Sequence, residues 1–169
     1  DQIDNPVNNI IKLQDQAKKF GIGRDTHVGD TIIGIKGRVG FEAAAPLLII
    51  KAHHLLEKHT MSKWQQFQKE QLGSFYGMLL HEGQYLDPVM RDLEAFLSNS
   101  QATVTGKVFV TLHPYRFELN GIDSDHDLMN ADFGSYGEIN KGWSADDAKG
   151  FIKLLSNQNK IYQFVNKNK

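Results

Sequence analysis

The stretch GIGRDTHVGDTIIGIKGRVGFE, residues 21–42, holds six glycines, two arginines, a lysine and a histidine. Glycines let a backbone approach a phosphate closely and basic side chains neutralise its charge, so this composition suggests a nucleotide or phosphate site. Such sites place their glycines between a strand and the N-terminus of a helix. Here the glycines follow a predicted helix and lead into a predicted strand, and G-x-x-x-x-G-K-[ST] does not occur in the sequence. We therefore interpret these glycines as residues of turns and of strand positions where the backbone is closely approached.

A second cluster of chemically capable side chains comprises His53, His54, Glu57 and His59. Metal ligands on a helix fall three or four residues apart. His54 and Glu57 have that spacing, but His53 and His54 point apart and H-E-x-x-H is absent. We interpret these histidines as solvent-exposed or core-edge residues and predict no metal site.

The third candidate is the acidic segment DSDHDLMNADFG, in which Asp123, Asp125 and Asp127 occupy the first three ligand positions of a calcium loop. The sixth position should be glycine and is Leu128, and the twelfth should be glutamate and is Gly134. An acidic surface turn is the better interpretation. The sequence also lacks a nucleophile elbow, and no catalytic triad or carboxylate pair can be assembled from it, so we assign no catalytic residue.

Composition narrows the function classes. The chain has 169 residues, is 40% hydrophobic and 23% charged, and carries a net charge of −1, which gives no general attraction to nucleic acid or anionic lipid. It has no cysteine, and its apolar runs are shorter than the roughly 20 residues that span a bilayer. No signal peptide is visible. We expect a soluble, cytoplasmic protein, and because the chain starts at Asp1 instead of methionine, a piece of a longer one.

Hydrophobic periodicity predicts an α+β fold, in which four to five helices pack on a small mixed or antiparallel sheet with a long hairpin. Helices are predicted over residues 4–21, 45–59, 61–83, 87–100 and 144–165, one strand or two joined strands over 26–38, and a hairpin over 102–121. Asp4 or Asn5 and Ser144 are predicted N-caps, and Pro114 and Tyr115 are predicted at the hairpin turn.

Several motifs, in order along nearly the whole chain, resemble the C-terminal part of argininosuccinate synthase. They are GIGR at 21–24, IGIKGRVGFE at 33–42, HTM at 59–61, GQYLDP at 83–88, VTGKVFVTL at 104–112 and ADDAKGFIKL at 145–154. The family's corresponding patterns are G-[IV]-G-R, I-G-x-K-S-R-x-x-Y-E-T-P, [FH]-T-M, G-x-[WY]-x-x-P, V-x-G-x-V-x-V and D-A-x-G-F-I. The ordered series is far more specific than any single motif.

The resemblance implies an ATP-dependent carbon–nitrogen ligase of arginine biosynthesis, which joins citrulline and aspartate with release of AMP and pyrophosphate. The family's ATP loop, S-G-G-x-D-[ST], lies in an N-terminal domain and does not occur in this chain. ATP and Mg²⁺ are therefore expected to bind mainly outside it, and the isolated chain is expected to be inactive. The resemblance implies that residues 1–143 form the C-terminal part of the synthetase domain. It also implies that residues 144–169 form a helix that contacts neighbouring subunits of a homotetramer. The alternative is a non-catalytic oligomerisation or interaction module derived from this fold.

Departures from the family fall at the positions that contact citrulline. In the family, a glutamate five residues after the G-x-G-R arginine receives the citrulline α-amino group, and Gly29 stands there in this chain. A tyrosine three residues after the second arginine, Arg38, is here Phe41. The interval from Arg24 to Arg38 equals the family's, so the alignment has not slipped. The resemblance thus implies that Gly29, Arg38 and Phe41 line the substrate site, and His27 shares the strand face of Gly29.

Loss of this glutamate suggests two hypotheses. Asp30 is adjacent, but neighbouring strand residues face opposite ways, so it would replace the glutamate only if a bulge intervened. One hypothesis is an N-acylated citrulline as substrate, since this needs space and no carboxylate, which Gly29 and Phe41 provide. The other is ordinary citrulline, with compensation from another side chain.

Overall fold

A computed structural model describes residues 5–130 and 142–167. Contacts divide the chain after Leu128 into two compact units, each described by itself below, while the domain boundary at 143/144 stays a prediction. The first unit contains α1 (Pro6–Ala17), β1 (Arg24–Asp30), β2 (Lys36–Glu42), α2 (Ala44–Thr60), α3 (Lys63–His81), α4 (Val89–Ser100), β3 (Lys107–His113) and β4 (Arg116–Asp123). The second contains α5 (Ala145–Leu155) and α6 (Asn157–Val165). The predicted α+β class is confirmed, and no helix in the described ranges is long and apolar enough to cross a membrane.

Helix α1 begins as its sequence predicts, but it ends at Ala17, before the predicted end at residue 21. The Asn5 side chain accepts the Val7 N–H at 2.9 Å, and Pro6 occupies the first helical position, where its missing N–H costs nothing. A 3₁₀ turn, Lys18–Phe20, follows α1, and Gly21 ends it with a left-handed φ of 71°. Along α1, Val7, Ile10 and Ile11 are exposed, whereas Leu13 packs against the core and Ala17 is fully buried. The C-terminal half of the helix is therefore the part that enters the core.

The strand prediction over 26–38 resolves into two strands. β1 and β2 pair antiparallel from Arg24↔Glu42 to Asp30↔Lys36, and residues 31–35 form the turn between them. β3 and β4 form a second antiparallel hairpin, with Pro114 and Tyr115 at its turn as predicted and a register shift at Phe109/Val110. In the described part of the chain the two hairpins form two separate two-stranded antiparallel sheets.

Small residues let the first hairpin approach α1 and α2 closely. Ala17, Ile22, Ala44 and Leu48 form a buried cluster at the base of β1 and β2. Partly buried side chains from α1, α2 and the second hairpin pack against it: Leu13, Phe20, Leu47, Leu112 and Phe117. The base of the first hairpin is therefore anchored in the core, whereas its strands are exposed at nearly every position.

Helices α3 and α4 form a second cluster from Leu79, Met90 and Leu93. The Ser62 side chain and Gln65 form a capping box at the start of α3, and the Asp87 carboxylate accepts the Val89 N–H at 2.9 Å at the start of α4. Most of the predicted apolar side of α3 stays exposed, including Trp64 at 66%.

A buried carboxylate joins α2 to α3 and to the chain after α4. Glu57 is 5% exposed. Its two oxygens lie 2.8 and 2.9 Å from Lys69 Nζ, and Gln101 Nε2 donates to Oε1 at 2.9 Å. His53 Nε2 lies 3.2 Å from the same oxygen. Burial alone would raise the pKa of Glu57, but the hydrogen bonds from Lys69 and Gln101 and the charges of Lys69 and His53 outweigh it, so its pKa is lowered.

In the second unit, Ser144 caps α5 in a reciprocal capping box with Asp147, as predicted. The single predicted C-terminal helix is instead two consecutive helices, because Ser156 ends α5 and begins α6. Apolar side chains of both helices are more than 60% exposed: Phe151, Ile152, Leu154, Leu155, Ile161, Tyr162, Phe164 and Val165.

Gly23 supplies the first testable consequence of this packing. Its φ is 77°, and a β-carbon there would lie 2.6 Å from the carbonyl carbon of Ala43 and the nitrogen of Ala44. Gly23→Ala should lower the free energy of unfolding by about 2–4 kcal/mol, measured by urea denaturation of the full chain. Gly40→Ala on β2 is the matched control, since a β-carbon there meets nothing within 4 Å. Equal effects of the two substitutions would contradict the close-approach argument.

Glu57 gives a pH-dependent prediction. Because its pKa is lowered in the folded state, its stabilising contribution is present above the ordinary glutamate value of 4.5 and is lost as the pH falls below it. Glu57→Gln should cost about 1–3 kcal/mol near pH 7, and the gap to the unsubstituted chain should shrink towards pH 3. Urea denaturation at several pH values measures this, with exposed Glu70→Gln as control. A gap that does not change with pH would contradict it.

Candidate functional site

The first hairpin has two chemically different faces. Residues directly opposite each other in an antiparallel pair point to the same side, and successive residues alternate. The pairing places Arg24, Asp30, Lys36 and Glu42 on one face. There Arg24 Nε donates to Glu42 Oε2 at 3.0 Å, and Lys36 pairs with Asp30. We call this the ionic face.

The opposite face carries the residues of interest, and we call it the His27 face. It consists of Asp25, His27 and Gly29 on β1 with their partners Phe41, Val39 and Gly37 on β2. Three of the four predicted site residues, His27, Gly29 and Phe41, therefore lie on one surface. The fourth, Arg38, pairs with Val28 and lies on the ionic face. The structure does not bring Arg38 together with the other three, because the alternation of strand residues turns it away.

His27 lies over Gly29. A β-carbon on Gly29 would sit 2.6 Å from His27 Nε2 and 3.2 Å from its Cδ2. This covering makes Gly29 partly buried on a strand whose other residues are exposed. The space that the glycine opens is thus occupied by an imidazole ring, and any residue 29 with a side chain would have to displace it.

No carboxylate of the hairpin lies beside Gly29. The register runs without interruption from Arg24↔Glu42 to Asp30↔Lys36, so no bulge turns Asp30 to the His27 face. Asp25 is the carboxylate on that face, but it is four residues from Gly29, about 13 Å along an extended strand. Its Oδ1 accepts the Thr26 N–H at 2.7 Å. Neither side chain can stand in for a carboxylate at position 29.

A cavity of about 550 Å³ opens at the base of the His27 face, where Phe41 and Asp25 meet the core. That volume suits a small molecule. Its lining is mainly apolar, with Arg24 and Asp25 as the charged members: Gly21, Gly23, Arg24, Asp25, Phe41, Ala43, Pro46, Leu47, Ile50 and Tyr115. A ligand lying along the hairpin could place one end in this cavity and the other near His27.

Tyr115, from the turn of the second hairpin, is fixed at the edge of this cavity. Its φ is 64°, a left-handed conformation that non-glycine residues seldom adopt. Its N–H donates to the Phe20 carbonyl at 2.7 Å, which holds the turn against the core. A β-carbon on Gly21 would lie 2.9 Å from two carbons of the Tyr115 ring, so the ring rests on that glycine.

Sequence reasoning missed Asp25 and Tyr115 as members of this surface. The period-two alternation that places His27 with Gly29 also places Asp25 with them, so that signal was available. Tyr115 could not have been found this way, because it is 74 residues from Phe41 in sequence and only folding brings the two to one cavity.

The other candidate clusters have structural partners. His53 contacts Glu57, and His59 Nδ1 lies 3.0 Å from Asp127 Oδ1. His54 lines a separate 230 Å³ cavity with Lys51 and Glu70, where burial and then the charge of Lys69 lower the pKa of His54. Within residues 5–130 and 142–167 no group of three or more His, Asp or Glu side chains could hold a metal ion, and Gly134 of the acidic segment lies outside them.

Comparison with known proteins gives matches to one family along nearly the whole chain. The family model described as Arginosuccinate synthase C-terminal domain matches residues 1–162. Similar curated proteins include the argininosuccinate synthase of Xanthomonas campestris pv. campestris, which is 35% identical over 94% of this chain and 39% of the relative. The argininosuccinate synthase of Dictyoglomus turgidum is 37% identical over 90% of this chain and 38% of the relative. The argininosuccinate synthase of Methanocaldococcus jannaschii is 33% identical over 97% of this chain and 41% of the relative. The chain thus spans about two fifths of the length of the curated relatives it matches.

Proposed function

We propose, because the chain belongs to the argininosuccinate synthase C-terminal domain family, that the protein carrying it is an ATP-dependent carbon–nitrogen ligase. In this reaction the ureido oxygen of a citrulline-type substrate attacks the α-phosphate of ATP and pyrophosphate leaves. The amine of aspartate then displaces AMP to give argininosuccinate or its acylated form. Mg²⁺ would neutralise the phosphates during the first step. The resemblance places positions that contact citrulline on the first hairpin, so we assign to this chain a part in binding the ureido substrate.

The His27 face is the surface that we assign to the amino-acid end of this substrate. It presents an imidazole over Gly29, an apolar Val39 opposite His27, and Phe41 beside the cavity at its base. A substrate ammonium group lying at Gly29 would meet no carboxylate of the hairpin. This is the observation that supports an N-acylated citrulline over free citrulline, since an acyl-amide nitrogen is uncharged and needs no such partner.

General interaction energies set the loss of citrulline binding expected from the missing carboxylate. A hydrogen-bonded pair of a carboxylate and an ammonium group contributes about 1.5–3 kcal/mol. Without it, binding of free citrulline should weaken roughly tenfold to a hundredfold. Acylation removes the charge that would otherwise lie unpaired beside an imidazole.

The substrate test uses the protein that contains this chain together with the family's ATP-binding domain. We expect kcat/KM for N-acetylcitrulline or N-succinylcitrulline to exceed that for free citrulline by about tenfold or more, from pyrophosphate release with ATP and aspartate. Gly29→Glu should shift preference towards free citrulline, whereas Gly40→Glu, on the ionic face, should not. Preference of the unsubstituted enzyme for free citrulline would overturn the N-acyl proposal.

A second candidate function rests on the C-terminal helices. Eight apolar side chains on α5 and α6 are more than 60% exposed, which is unusual for a soluble chain without a partner. We infer that this surface covers a second copy of the chain, as in a homotetramer. A non-catalytic oligomerisation module would show the same association without ligase activity.

Light scattering after gel filtration tests the association. The chain should form dimers or tetramers at micromolar concentration, and Leu155→Glu should shift it towards monomer because a charge would then be desolvated in the contact. Lys153→Glu, on the same helix, is the control. A monomeric chain at every concentration would contradict self-association through α5 and α6.

A further inference from the structure

We propose that His27 is a specificity-determining residue that donates a hydrogen bond from its imidazole to an oxygen of the substrate's N-acyl group. We further propose that residue 29 is glycine because the ring needs that position. This rests on the proposed N-acylcitrulline ligase function and adds to it the protein group that recognises the acyl oxygen.

The first support is the position of the ring. Its Nε2, Cδ2 and Cε1 atoms would lie 2.6, 3.2 and 3.6 Å from a β-carbon on Gly29. Nε2 and Cε1 are the two ring atoms farthest from the His27 backbone, so the imidazole extends along β1 over the glycine. A hydrogen-bonding nitrogen therefore lies at the place where a side chain of residue 29 would begin.

The second support is the surface around the ring. Gly29 is paired with Gly37, and a β-carbon on Gly37 would meet only Thr31 Cγ2, at 3.9 Å. Because the ring covers Gly29, the backbone at Gly37 forms the open, flat floor next to the imidazole. Val39, opposite His27 and 56% exposed, offers an apolar contact. An acyl chain could lie on this floor with its carbon atoms against Val39 and an oxygen at the imidazole.

The third support is the chemistry of the group. An imidazole always carries at least one N–H donor, and two when protonated. An acyl oxygen can accept from Nε2 in the protonated ring and in the neutral tautomer that carries its hydrogen on Nε2. An ammonium group could approach only an unprotonated nitrogen, and the protonated ring would repel it. His27 thus favours a substrate whose nitrogen is acylated. Gly29, at the same place, offers no carboxylate that would bind a charged nitrogen.

The first experiment separates His27 from the fold. In the protein with its ATP-binding domain, His27→Ala should lower kcat/KM for N-acetylcitrulline and N-succinylcitrulline about three- to tenfold, and should change that for free citrulline less than twofold. His27→Gln keeps an N–H donor and should retain most of the activity on the acylated substrates. Melting temperatures of all variants report any loss of structure.

The second experiment is a double-mutant cycle. Gly29→Ala should displace the His27 ring, which can rotate away, so the melting temperature should change little while activity on the acylated substrates falls as in His27→Ala. In the His27→Ala background, Gly29→Ala should have no further effect. Gly40→Ala, with nothing within 4 Å of its β-carbon, is the control.

The outcomes distinguish the two proposals. If the unsubstituted enzyme prefers free citrulline, the N-acyl function fails and this inference fails with it. If it prefers an acylated substrate but His27→Ala leaves that preference intact, or the two substitutions act independently, only the role of His27 is overturned.

Discussion

The close approach of Gly23 to the start of α2 is the constraint on which the hairpin's position depends. The Gly23 carbonyl accepts the Ala43 N–H at 2.9 Å, and the backbone of Ala43 and Ala44 leaves no room for a β-carbon on Gly23. Ala17 and Ala44, both fully buried, allow the same closeness between α1 and α2. Because the base is fixed in this way, β1 and β2 can extend into solvent with a defined direction.

Alternation along the strands then divides the chemistry. On the ionic face, Arg24 pairs with Glu42 and Asp30 pairs with Lys36. The His27 face holds an imidazole over Gly29 and an aromatic residue, Phe41, beside a cavity. An uninterrupted register keeps these sets apart, since a slip of one residue would exchange the two faces. The glycines of this stretch thus act in two ways: Gly21 and Gly23 are left-handed turn residues, and Gly29 leaves room for a neighbouring ring.

Glu57 has a different role from the charged pairs of the hairpin. It is buried, and Lys69, Gln101 and His53 surround its carboxylate, so it links α2 to α3 and to the chain after α4. The exposed pairs of the hairpin contribute little to stability, because water screens them. The charge network around Glu57 therefore stabilises the helical part of the first unit. It contains none of the residues that we assign to substrate binding.

Local sequence determined the elements of this protein, and tertiary contacts decided which of their residues meet. Three helix starts are specified by residues at most three positions apart: Asn5 with Pro6, Ser62 with Gln65, and Ser144 with Asp147. The caps at Asn5 and Ser144 were therefore predicted from the sequence alone. The position of His27 on the side of Gly29 was equally local, since it follows from a period of two. Arg38 and Phe41 are three residues apart on β2, so alternation alone turns them to opposite faces. The register of β1 with β2 decides that Phe41, and not Arg38, shares the side of His27 and Gly29. The cavity that joins Phe41 to Tyr115 arises only when two hairpins and α2 pack around one buried cluster, because long-range packing has no counterpart in the local pattern.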